Sequence, residues 1–75
     1  MNLDDFISNF LDQLDDTDSI TKETEFKTLD EWSSMTALAV IAMIDAEYDV
    51  QIKGTDIRDS KTIEDLYNKV KALKA

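Results

Sequence analysis

The sequence predicts an all-α protein: a small four-helix bundle of three longer helices and one short helix, with a long first loop. Three observations carry that prediction. Chain breakers are almost absent, with no Pro and a single Gly at position 54, which leaves little material for tight hairpins. Three stretches place apolar residues at the three- and four-residue spacing of a helix face. The stretches between them are polar and aperiodic, as connecting segments are. The 75 residues form one domain, residues 1–75, with material for a single core.

The first helix runs from Asn2 to Asp15. Leu3, Phe6, Ile7, Phe10, Leu11 and Leu14 make its apolar face, and Asp4, Asp5, Ser8, Asn9, Asp12 and Gln13 the other. Asp4 and Asp5 suit the positive end of its dipole. From Asp16 to Trp32 no period is sustained, and Ile20, Phe26, Leu29 and Trp32 stand as apolar anchors of a long loop. Long ordered loops in small domains often border a functional site.

The second helix runs from Met35 to Tyr48. Leu38, Ile41 and Ala42, with Val40, Met43 and Ile44, make it so apolar that it is expected to be the most central element. Val50 to Ser60 is short and mixed, with a short helix or single turn expected near Thr55 to Arg58. Asp59 and Ser60 are N-cap types, and the last helix is expected from Thr62 to Leu73, with Ile63, Leu66, Tyr67, Val70 and Leu73 facing the core. Phe6, Phe26, Leu38, Ile41 and Leu66 are the expected core side chains, and truncation of any one to Ala should cost about 2–5 kcal/mol.

Composition excludes much chemistry. With no Cys and no His, the chain has no disulfide, no Ser-His or Cys-His nucleophile and no zinc site of the usual ligands. The acidic run from Asp12 to Glu25 fails the calcium-loop pattern, because Ile20 follows Asp18 where an acid is needed and Lys27 stands at the closing position. No catalytic residue and no metal ligand emerges, so an enzyme is not expected. The net charge of −9 disfavours nucleic acid and anionic membranes and favours basic protein surfaces, although acidity also serves plain solubility. The MNLDD start has no basic residue and no uninterrupted apolar core, and Ala37–Ile44 is far shorter than the ~20 residues of a membrane span. The expectation is a cytoplasmic monomer without membrane insertion.

Two adjacent serines precede the apolar helix in "DEWSSMTALAVIAMIDAEYDV". With Ser33 as N-cap, its hydroxyl accepts a first-turn N–H, and Ser34 falls at the first helical position with its hydroxyl free. That first position lies at the positive end of the helix dipole, beside N–H groups that no helical carbonyl reaches. Ser19 and Ser60 are weaker candidates: no buried helical face follows Ser19, and Ser60 reads as the cap of the last helix.

Over nearly its whole length the chain resembles the acyl carrier proteins, the phosphopantetheine-binding carrier family. Ser34-Met35 matches the Ser-Leu pair of the family's Asp-Ser-Leu motif, and Leu38, Ile41, Ile44, Glu47, Tyr48 and Ile52 follow in its pattern. Phe26 precedes Ser34 by eight residues, as the family's loop phenylalanine does, and "DSKTIEDLYNKV" matches the start of its last helix. The resemblance implies that Ser34 Oγ carries 4′-phosphopantetheine from coenzyme A, whose thiol holds acyl groups as thioesters in fatty-acid or polyketide-type biosynthesis. It implies a phosphopantetheinyl transferase and acyl-processing enzymes with basic surfaces as partners, met through Asp30, Glu31, Met35, Asp45 and Glu47. Ser33 replaces the usual Asp, and Thr36, Ala37 and Ala39 stand where the family often has acids, which implies partners unlike those of a housekeeping fatty-acid carrier. An aminoacyl or peptidyl carrier has the same serine and fold, and an unmodified acidic adaptor remains the alternative from another class.

Overall fold

The computed structural model describes residues 2–15 and 17–74. Asp16, the expected first residue of the loop, lies outside them. Among the described residues the chain forms four α-helices and no strand: α1 (Leu3–Leu11), α2 (Ser34–Tyr48), α3 (Gly54–Asp59) and α4 (Ile63–Lys74). The small helical bundle expected from the sequence is what the chain adopts. Its radius of gyration, 11.0 Å, equals the roughly 11 Å expected of a folded chain this long.

Asn2 caps α1 by accepting the Asp5 N–H at 3.2 Å. The helix ends about a turn earlier than its apolar period. Gln13 and Leu14 donate to the carbonyls of Phe10 and Leu11 at 3.0 and 2.9 Å, which tightens the chain into three-residue turns. The Asp15 N–H leaves the helix altogether and goes to Glu31 Oε1 at 2.7 Å. Leu14 stays buried regardless, so the period located the core residue correctly but not the helix end.

The first loop holds one short 3₁₀ turn, Phe26–Thr28. Thr21 and Thr24 bond each other's turn, with the Thr21 N–H on Thr24 Oγ1 at 2.9 Å. Their carbonyl neighbourhood then serves α4. The Glu64 and Ile63 N–H groups, two of the unpaired donors at the start of that helix, donate to Lys22 O at 2.9 Å and Thr24 O at 3.1 Å. Thr62 Oγ1 accepts the Asp65 N–H at 3.2 Å, and Asp65 Oδ2 accepts the Lys61 and Thr62 N–H groups, each at 3.1 Å. This is a reciprocal cap. The backbone N–H of Thr62, followed by that of Lys61, holds the Asp65 carboxyl below its usual range. Ser60 is not the cap of α4. It ends α3, is 2% exposed, and its hydroxyl donates to Asp56 O at 2.8 Å.

Phe6, Phe10, Phe26, Val40, Ile44, Ile63, Leu66 and Val70 are fully buried at the centre of the core. α1 packs on α4 and α2, and α3 packs on α4. Every aromatic ring of the chain joins one chain of contacts. Tyr67 and Tyr48 lie against Phe6 at 5.5 and 5.8 Å, Phe6 touches Phe10, and Phe10, Phe26 and Trp32 form a triangle with centroids 5.0–6.1 Å apart. Phe26 and Trp32 thereby root the loop in the core, and Ile20 and Leu29 also pack against the core. Asn9 donates to the Tyr48 hydroxyl at 2.9 Å, and burial pushes that phenol's ionisation above its usual 10.0.

Two expected core residues stand outside. Leu38 is 65% exposed and Leu73 53%. The reason for Leu38 is the composition of α2: apolar residues lie all round it, so no period selects a face, and the neighbours bury Val40, Met43 and Ile44 instead. α2 is therefore not the most central helix; the shorter α4 buries Ile63, Leu66, Tyr67 and Val70. Among the described residues no helix is long and apolar enough to cross a membrane.

Candidate functional site

The N-terminus of α2 is built from hydroxyls. Ser33 is the N-cap in extended backbone, φ −150° and ψ 175°. Its Oγ accepts the Thr36 N–H at 3.3 Å and lies 3.3 Å from Thr36 Oγ1. Thr36 Oγ1 donates to Glu31 O at 3.1 Å, so its one proton is used and Ser33 must be the donor of the pair. The Ala37 N–H closes the first helical turn on Ser33 O at 2.9 Å. Ser33 is therefore the cap and Ser34 the first helical residue.

Ser34 is exposed, and its Oγ has no hydrogen-bond partner among the described residues. Two donors of the same helix end, the N–H groups of Ser34 and Met35, also have no acceptor among the described residues. An anionic group on Ser34 Oγ would lie at the positive end of a 15-residue helix, the end at which these two N–H groups are unpaired. Nothing beside Ser34 raises its nucleophilicity; an attack by this hydroxyl needs a base from a partner.

Beyond Ser34, α2 presents a stripe to solvent. Met35 is 81% exposed and Leu38 65%, and Ala42, Asp45 and Ala46 are exposed further along the same side. Ser34, Leu38 and Asp45 fall nearly on one line, and the stripe is about 16 Å long at the rise of an α-helix. From residue 28 to residue 52 the chain has five acids (Asp30, Glu31, Asp45, Glu47 and Asp49) and no base.

The five expected docking residues do not form one patch. Met35 and Asp45 lie on the stripe with Ser34. Asp30 is exposed ahead of the helix, on the wall of an open depression of about 560 Å³ lined also by Thr17, Leu29 and Glu31. Glu47 is exposed but points about 160° away from the middle of the stripe at 3.6 residues per turn. Glu31 is half-buried, and its two carboxylate oxygens accept the Asp15 N–H and the Thr17 hydroxyl, each at 2.7 Å. Sequence reasoning did not single out Leu38 as a surface residue or Thr36 as part of the cap. The spacing Ser33-x-x-Thr36 is the capping spacing, and that signal was available; the exposure of Leu38 had none.

Among the described residues, no group of three or more His, Cys, Asp or Glu side chains is arranged to hold a metal ion. Comparison of the chain with protein-family models, with curated proteins and with solved structures finds no match.

Proposed function

We propose that the protein is a carrier protein of the acyl-carrier type, with 4′-phosphopantetheine attached to Ser34. One observation carries the reading: of the paired serines, Ser33 is consumed as the helix cap while Ser34 Oγ is exposed and unengaged at the first helical position. In the modification, Ser34 Oγ forms a phosphoester bond to the pantetheine-bearing phosphorus of coenzyme A. The pyrophosphate bond breaks, adenosine 3′,5′-bisphosphate leaves, and the serine proton passes to a base of the transferase. The thiol at the end of the arm then holds the cargo as a thioester, an acyl group in a fatty-acid or polyketide-type pathway.

The surface around Ser34 supports brief docking to several enzymes. Met35 offers a pliable apolar contact, Leu38 extends it, and an acidic segment without bases draws basic partner surfaces and speeds their encounter. The tether keeps cargo at high effective concentration near whichever enzyme is docked.

Intact mass after incubation with coenzyme A, magnesium and a broad-specificity phosphopantetheinyl transferase tests the reading. The expected result is one phosphopantetheine per chain, placed on Ser34 by fragmentation and absent from Ser34→Ala. No adduct with either a broad or a cognate transferase, on a chain folded by circular dichroism, would overturn it in favour of an unmodified adaptor.

A further inference from the structure

Glu31 stands where two separate hydrogen-bond systems meet. Its carboxylate takes the Asp15 N–H and the Thr17 hydroxyl, fastening the start of the long loop. Its carbonyl takes the Thr36 hydroxyl, which orients Thr36 to receive Ser33. The proton assignment runs one way: Ser33 to Thr36 Oγ1, Thr36 to Glu31 O, and the Thr36 N–H back to Ser33 Oγ. Each hydroxyl proton in this chain is committed, and Ser34 is left outside it. Both Glu31 contacts to the loop are short and charge-assisted, the stronger kind of hydrogen bond. Trp32, next in sequence, packs against both Phe10 and Phe26, so the backbone that follows Glu31 is anchored in the core.

We propose that Glu31 and Thr36 are positioning residues for Ser34: together they hold Ser33 as the cap, which keeps Ser34 at the first helical position and its hydroxyl presented to the modifying enzyme. The acidic side chain acts inward, on the loop, and the residue's carbonyl acts on the helix end. Because Ser33 carries a proton that an Asp cap would lack, it can donate to Thr36 as well as accept from it, and the cap depends on Thr36 in a way a carboxylate cap would not. This inference rests on Ser34 being the phosphopantetheine site.

The test is the rate of phosphopantetheinylation by intact mass, resolved into kcat and KM for the protein substrate, on the full chain and on Thr36→Val, Thr36→Ser and Glu31→Gln. Amide hydrogen exchange of Asp15, Thr36 and Ala37 is measured on the same proteins. Thr36→Val keeps the backbone cap bond but loses both bonds of the hydroxyl; it is expected to lower kcat/KM roughly fivefold, to speed exchange at Thr36 and Ala37, and to leave the helical content unchanged. Thr36→Ser, which restores the hydroxyl, is expected to return both readouts. Glu31→Gln is expected to speed exchange at the Asp15 amide first and at Thr36 second. Equal modification rates in the full chain and Thr36→Val would overturn the positioning role while leaving the carrier reading intact. Failure of the full chain itself to be modified would overturn the carrier reading, and the positioning role with it.

Discussion

Two alanine substitutions in the same helix should separate completely in stability. Ile44 is fully buried in the core, whereas Leu38 is 65% exposed; the two lie about 120° apart around α2. Truncating Ile44 removes buried carbons and leaves a cavity, at about 2–5 kcal/mol. A chain of this length has about 4–11 kcal/mol of total stability, so Ile44→Ala loses a large share of it. At about 4–8 °C per kcal/mol for a domain this small, a loss of about 3 kcal/mol lowers Tm by about 12–24 °C. Leu38→Ala exposes little new core and replaces one good helix former by a better one, so its change stays within about 0.5 kcal/mol. Far-UV circular dichroism melts of the two variants beside the parent are sufficient. Comparable losses in both, or a loss only in Leu38→Ala, would mean that α2 is rotated from the orientation described, and the stripe beside Ser34 would cease to exist. With stability intact, Leu38→Ala becomes the clean variant for testing the proposed carrier role: if Ser34 is the attachment site, a slower modification in it reports on the surface alone.

Three further outcomes follow from the helix ends. Thr62→Ala removes the acceptor of the Asp65 N–H and should cost about 0.5–2 kcal/mol, read as a lower urea midpoint at unchanged slope; an unchanged midpoint would mean the cap is not made. Asp49 ends α2 in the left-handed region at φ 56°, where Asn is at ease, and it places a negative charge at the negative end of the helix dipole. Asp49→Asn should therefore raise stability by roughly 0.3–1 kcal/mol, and a lower Tm would refute that account. Asp65 is expected to titrate below the usual Asp value of 3.8, since two backbone N–H groups favour its charged form. A group whose folded pKa is depressed stabilises the fold above its unfolded pKa and loses that contribution as pH falls through the folded one. Carboxyl chemical shifts give the midpoint directly, and a value at or above 3.8 would remove Asp65 from the cap.

Residues with a clear period were legible without coordinates. Phe6, Phe10 and Leu14 recur at helical spacing against a polar face and are buried; Ile63, Leu66, Tyr67 and Val70 do the same in α4. The cap was legible as well, because Ser33 and Ser34 precede an apolar run and only one of them can take the extended backbone of an N-cap. These are local properties, set by a residue and its near neighbours in the chain.

The face of α2 was settled only in three dimensions. A helix apolar on every side has no preferred contact of its own, so the burial of Ile44 and the exposure of Leu38 follow from how α2 packs against α1 and the rest of the core. The same holds for the ends of the long loop. Glu31 reads in sequence as one more surface acid, and the carbonyls of Lys22 and Thr24 carry no sequence signature at all. Folding brings the first to the amides of Asp15 and the hydroxyl of Thr17, and the others to the free N–H groups of α4. Such pairings join groups far apart in the chain through backbone atoms that every residue has, which is why residue identity determined the helices and the cap at Ser33, and packing alone decided how the loop is fastened and which side of α2 meets the solvent.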